Sequence, residues 1–286
     1  MVANSEAAKD YISRHPENAD KIIDGGPLKP IKDQYFDSSN SVQEIFHDED
    51  FFSVPIAESI SIGLLIAAGK NTFKLIQNKK TFSEALIDTG INYTLSQFHK
   101  NIAVKNGTIL GFDYWDNDDK PFDSDPRQNP FYPRHHGSTV FSVLAKEAPK
   151  SLIAPYRFPA LDMCRFKEVI EHIANNSIRL VNLSMGSNNL KDWECFEKTA
   201  RKYNNIIFVV SAGNNGFDID KQPIYPAALD LKNIITVTSS DQNGRIGRGS
   251  NIGKSSVDFI VPAERMEVID HRGVKSYTGG TSYAVP

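Results

Sequence analysis

From Ser83 onward the chain repeatedly sets a short apolar run against a stretch of helical spacing, and few folds accommodate that alternation. In the segment 205–210 (NIIFVV) every residue after Asn205 is apolar. Both faces of such a strand must be buried, as in the interior of a parallel sheet. Residues 84–88 (EALID), 151–156 (SLIAPY), 178–183 (IRLVNL), 233–238 (NIITVT) and 257–261 (VDFIV) read as further strands. Between them, Phe166, Val169, Ile170 and Ile173 recur at helical spacing after Asp162, a residue suited to an N-cap. Trp193, Phe196, Ala200 and Tyr203 mark a second buried stripe, and residues 140–145 a third. The expected fold class is α/β: a mostly parallel central sheet with helices on both faces, in three layers α/β/α. Ligands of such sheets bind in the crevice at the carboxyl ends of the strands.

The domain expected on this pattern covers residues 81–286, preceded by an extension over 1–80. That extension shows a helical stretch around Glu6 to Tyr11 and turns at 25–27 and 37–41. It could act as a propeptide, a docking segment or extra packing. The N-terminus has no basic stretch followed by an apolar core, so no secretory signal is read: either the compartment is the cytoplasm, slightly favoured, or a leader is already absent. The most apolar run, 60–68 (ISIGLLIAA), is far shorter than the roughly 20 residues that span a bilayer. With a net charge of -3 and both signs interspersed, no footprint for nucleic acid is visible. Cys164 and Cys195 form no metal set and no disulfide framework, and are expected as two reduced thiols.

Acyl transfer by serine needs a hydroxyl, a base, a carboxylate that holds the base in the right tautomer, and donors for the oxyanion. Four segments could each supply one part. Asp88 ends a strand and precedes Thr89-Gly90; His136 lies in His135-His136-Gly137-Ser138; Asn214 follows the most apolar strand in Ser211-Ala212-Gly213-Asn214; Ser282 sits in Gly280-Thr281-Ser282-Tyr283-Ala284-Val285-Pro286. In this order the four segments resemble the aspartate, histidine, oxyanion and serine motifs of the subtilisin-like serine proteases, the subtilases. Residues 111–118 (GFDYWDND), 181–186 (VNLSMG) and 225–228 (YPAA) add to the resemblance.

The resemblance implies a serine endopeptidase with Ser282 as nucleophile, His136 as general base, Asp88 as its orienting carboxylate and Asn214 as oxyanion donor. No cofactor is required for that chemistry. It implies a protein or peptide substrate bound as an extended strand along Ser184, Met185 and Gly186, with Ala212 and Gly213 in the specificity-pocket wall. Small residues there leave room for a sizeable apolar side chain at P1, the substrate residue before the cut. Asp113, Asp116 and Asp118 offer hard oxygen ligands at a spacing that suits Ca²⁺, as in a loop of some subtilases. Ser282 is expected at the N-terminus of a helix.

The pattern also departs from the family. Thr139 and Phe141-Ser142 replace the second histidine and the Ala-Gly of the histidine motif, and residues 121–134 form a long, proline-rich insertion before His136. The family continues past its serine motif with a buried helix, so a chain ending at Pro286 is expected to be a shortened form of a longer protease. A catalytically silent module that binds an extended peptide or a protein partner is therefore the alternative function.

Overall fold

The computed structural model describes residues 83–124, 135–158 and 162–286. The N-terminal extension, with its expected helix, turns and apolar run, and residues 125–134 of the insertion lie outside them. The described chain runs through β1 (Ser83–Asp88), a short hairpin of β2 (Val104–Lys105) and β3 (Thr108–Ile109), β4 (Phe112–Asp113) and helix α1 (His136–Glu147). It continues through β5 (Leu152–Arg157), α2 (Phe166–Asn175), β6 (Leu180–Leu183), α3 (Glu194–Lys202), β7 (Ile207–Ser211), β8 (Ile234–Ser240) and β9 (Phe259–Pro262). A second hairpin, β10 (Met266–Ile269) and β11 (Lys275–Thr278), leads to a 3-10 turn at Thr281–Tyr283.

Seven strands make one sheet in the order β4-β5-β1-β6-β7-β8-β9, and every neighbouring pair is parallel. All seven carboxyl ends therefore lie on one edge. The two faces of β1 show why both its odd and its even positions are apolar. Ala85 and Ile87 join Phe166, Val169, Ile170, Ile173, Phe196 and Ala200 of α2 and α3 in one core. Leu86 joins Val140, Phe141 and Leu144 of α1 with Phe98 and Ile153 in the other. Each fully buried side chain of this size stabilises the fold by about 1.5–3 kcal/mol relative to exposure, so the three layers follow from the pattern of the strands.

Cys164 and Cys195, expected from the sequence as two reduced thiols, are instead joined in a disulfide with Cα atoms 5.0 Å apart. Their approach follows from aromatic packing. Phe166 stacks on Phe158 at 4.1 Å and meets Trp193 and Phe196 at 5.2 Å each, which draws the 3-10 turn at Met163–Arg165 against the start of α3. Asp162 caps that turn, accepting the Cys164 N–H, rather than capping α2 directly. No helix among the described residues is long and apolar enough to cross a membrane.

Glu84 near the start of β1 is enclosed, its Oε1 has no hydrogen-bond partner, and burial pushes its acid up to about 8 against a smaller opposing pull from Ser151. The folded state thus holds a proton that the unfolded chain releases near 4.5. The stabilisation from this proton is complete below that value and is lost as pH rises to about 8, at about 1.4 kcal/mol per pH unit. Glu84→Gln is expected to flatten this slope in urea unfolding followed from pH 5 upward. The double variant C164S/C195S, which opens a link across a separation of 31 residues, is expected to lose about 3 to 4 kcal/mol in the same assay.

Candidate active site

Asp88, the last residue of β1, is fully buried. Its Oδ1 accepts the Thr89 N–H at 2.7 Å, and both carboxylate oxygens lie 2.9 Å from Nδ1 of His136. A carboxylate only accepts, so Nδ1 carries the proton and Nε2 is left as the basic nitrogen. His136 is the first residue of α1, and Gly137 makes its approach possible: a Cβ there would run into the Gly90 carbonyl. Burial works against the imidazolium, but the Asp88 charge, its hydrogen bond and the charge of Asp123 together outweigh burial and hold His136 above the usual histidine range.

Ser282 is in the 3-10 turn at Thr281–Tyr283, where the sequence suggested a helix N-terminus. Gly280 before it has φ +123, and a Cβ there would stand 3.1 Å from Oδ1 of Asn214. That oxygen accepts the Thr281 N–H at 2.9 Å and its hydroxyl at 3.1 Å. With Oδ1 engaged, the Asn214 amide keeps its Nδ2 hydrogens as donors. The serine turn and the asparagine loop therefore fix one another.

His136, Asn214 and Ser282 line one cleft of about 660 Å³, together with Ser184, Met185, Gly186 and Gly213. Asp88 stands behind His136. Ser184 Oγ donates toward the Ser282 carbonyl at 3.1 Å, tying the expected substrate edge to the serine turn. Ala212 is not in the lining: it is buried, its N–H bonded to Val237 and its carbonyl to the Asn251 amide. Thr139 and Ser142, which depart from the family motif, both have contacts. Thr139 Oγ1 meets the Tyr283 hydroxyl at 3.1 Å, and Ser142 Oγ accepts the Ile269 N–H of β10.

Asp113, Asp116 and Asp118 do not gather round a shared vacant point. Asp113 Oδ1 accepts the N–H groups of Trp115 and Asp116, its Oδ2 takes Arg157 Nη1 at 2.8 Å, and Asp116 Oδ2 takes the same nitrogen at 2.5 Å. Asp118 meets Asp113 through backbone hydrogen bonds. The guanidinium supplies the positive charge, so this donor set does not fit calcium.

The sequence missed Asp123 and Ile224. Asp123 is fully buried at the start of a stretch that reads as a surface insertion, and only a buried environment distinguishes it. His135 and His271 flank it, bringing one ligand atom from each of the three residues within 4.8 Å. The two rings are stacked at 3.7 Å and 16°. A metal lies in the plane of each imidazole that binds it, at about 2.0–2.1 Å for zinc, and no point that close lies in both of these planes. The trio is a stacked pair over a carboxylate rather than a metal cage.

Sheet order and cleft position define an α/β domain of subtilisin-like architecture. The chain belongs to the subtilase family, Peptidase S8, whose sequence profile residues 79–286 match. The epidermin leader peptide-processing serine protease EpiP of Staphylococcus epidermidis is 23% identical over 248 residues, 71% of this chain and 52% of that protein. Of the solved structures, a lanthipeptide protease superposes with a TM-score of 0.58 at 22% identity, covering 72% of this chain and 69% of its own. A subtilase cytotoxin SubAB chain superposes with a TM-score of 0.59 at 20% identity, covering 76% of both. The chain spans about half the length of the Staphylococcus epidermidis relative.

With Arg157 bridging Asp113 and Asp116, added calcium is expected to leave the thermal unfolding midpoint unmoved. Arg157→Met leaves the buried Asp113 carboxylate unpaired and is expected to cost about 3–5 kcal/mol in urea unfolding.

Proposed function

We propose that this domain is a serine endopeptidase that cleaves extended peptide segments through an acyl-enzyme on Ser282. The single observation that carries the reading is the bond from His136 Nδ1 to both oxygens of buried Asp88, with Ser282 and Asn214 on the same cleft. In this reading the Ser282 hydroxyl attacks the scissile carbonyl while His136 Nε2 takes its proton. Asp88 holds the tautomer and stabilises the imidazolium. The Asn214 Nδ2 hydrogens donate to the oxyanion, and His136 returns its proton to the leaving amine. Water then releases the acyl group by the same steps.

The substrate is proposed to pair by main-chain hydrogen bonds with Ser184, Met185 and Gly186, strand addition with side chains alternating into pockets. The leader peptide-processing relative of Staphylococcus epidermidis accords with an extended substrate. Ile224 modifies the expectation of a roomy P1 pocket. Its Cγ2 stands 3.0 Å from where a Cβ on Gly186 of the proposed substrate edge would be and 3.7 Å from one on Gly213 of the proposed pocket wall. The bonds between Ser187 and Tyr225, at 2.9 and 2.7 Å, hold it there. A small aliphatic P1 residue fits this floor better than an aromatic one.

Labelling with a fluorophosphonate is expected in the parent protein and absent in Ser282→Ala; a parent protein that does not label rejects the reading in favour of a silent peptide-binding module. Asn214→Ala is expected to slow labelling about 100- to 1000-fold. In a library of peptides varied at P1, cleavage after alanine or valine is expected to exceed cleavage after phenylalanine, and Ile224→Ala to narrow the gap by about tenfold or more.

A further inference from the structure

We propose that Asp123 is a positioning residue for this acyl transfer, holding the turn that carries Asp88 against the helix end that carries His136. The inference rests on the Ser282 reading above and concerns how its base is kept in place. Asp123 is fully buried, and three donors converge on its carboxylate. Thr89 Oγ1 donates to Oδ1 at 2.7 Å, while the N–H and the hydroxyl of Ser138 donate to Oδ2 at 3.1 and 2.5 Å.

These donors belong to the two segments that must not drift apart. Thr89 is bonded in sequence to Asp88, and its Oγ1 also accepts the N–H of Gly137, the residue after His136, at 2.8 Å. Ser138 is the next residue of α1, and its Oγ accepts the Asn92 N–H at 2.9 Å. One carboxylate thus fixes the register of the β1 turn on the first turn of α1, two residues from the imidazole. The hydrogen-bond directions make the brace specific to an acceptor-only group. Thr89 has given its hydroxyl hydrogen to Asp123 and can therefore only accept from Gly137.

The charged and titratable groups around this brace come from four elements. Asp88 faces His136 from β1; the Tyr283 ring lies 5.8 Å from the His136 ring. His135 donates from Nδ1 to the Asp123 carbonyl at 2.9 Å, and His271, between β10 and β11, places Nδ1 3.8 Å from Asp123 Oδ2. Asn92 Nδ2 bonds the His271 carbonyl at 2.7 Å, so the hairpin is joined to the same brace.

Three variants separate position from charge. Asp123→Asn turns one acceptor into a donor and removes a charge; Thr89→Val and Ser138→Ala each cut one arm and leave the charge. The readouts are the rate of fluorophosphonate labelling against pH and the ring titration and Nδ1–H resonance of His136 in isotope-labelled protein. Asp123→Asn is expected to slow labelling about 10- to 100-fold, the scale of a small misplacement, and to move the His136 midpoint and the acid limb of labelling to lower pH. Thr89→Val and Ser138→Ala are expected to slow labelling with a smaller shift of the midpoint. In peptide turnover the loss is expected in kcat rather than KM.

A folded Asp123→Asn protein with the parent rate and an unshifted His136 overturns the proposal. If Asp123→Asn does not fold, parent rates in both Thr89→Val and Ser138→Ala overturn it. A parent protein that does not label rejects the function proposed for Ser282, while His136 still decides the brace: an altered Nδ1–H resonance in the variants supports it and an unaltered one overturns it.

Discussion

The site depends on one constraint: a carboxylate buried at the end of the central strand has to be surrounded by donors. An ionised group in so dry a place would be costly unless every lone pair were answered. Asp88 gets the Thr89 N–H from its own turn and the proton on His136 Nδ1 from α1. The second partner is not local. It can arrive only if the helix end docks on the turn after β1, which is why Gly137 must lack a Cβ and why Thr89 and Ser138 are drawn into a second set of bonds. The requirement for satisfaction thus fixes the His136 ring against the strand end.

The sheet makes the same edge available to the other parts. With every strand of the main sheet parallel, Asp88, Ser184 and Ser211 end or follow their strands on one side, and the loop after β7 brings Asn214 beside the serine turn. The Gly280 φ of +123 and the Asn214 bonds show that this turn is held by the asparagine loop and not by helix geometry alone. Asn214 and Ser282 are therefore one mechanical unit, while His136 and Asp88 are another. The bond from Ser184 to the Ser282 carbonyl joins the segment after β6 to the first unit.

Strands and helices were legible in the sequence because burial on two faces leaves a pattern that needs no partner to be read. NIIFVV at 205–210 indicates an interior strand, and the observed β7 is Ile207–Ser211. Asp88, His136, Asn214 and Ser282 were legible because short motifs carry them. What was not legible depends on contacts between distant segments. Cys164 and Cys195 meet only after Phe166 packs on Trp193 and Phe196. Asp123 resembles any acidic loop residue until the first turn of α1 closes over it, and Ile224 gives no sign that it stands between two glycines. The acidic run at Asp113 to Asp118 suggested calcium because its partner, Arg157, lies on a strand far away in sequence.

The carboxylates of Asp88, Asp113 and Asp123 are each matched by a partner suited to what it must do. Asp113 faces Arg157, a permanent cation that also draws in Asp116, an arrangement that fixes a loop and cannot release a proton. Asp123 faces hydroxyls and N–H groups, neutral donors that hold position without answering its charge. Asp88 is the one of the three whose carboxylate is hydrogen-bonded to an imidazole, a partner able to gain and lose charge near neutral pH. Because the Asp123 charge is left unneutralised by its direct donors, it acts on His136 in the same direction as Asp88. A cation placed on Asp123 would undo that effect, whereas Asp113, with its own cation, is not among the charges that act on His136 in this way. The distribution of partners thus separates the carboxylate that anchors a loop from the two that act on His136.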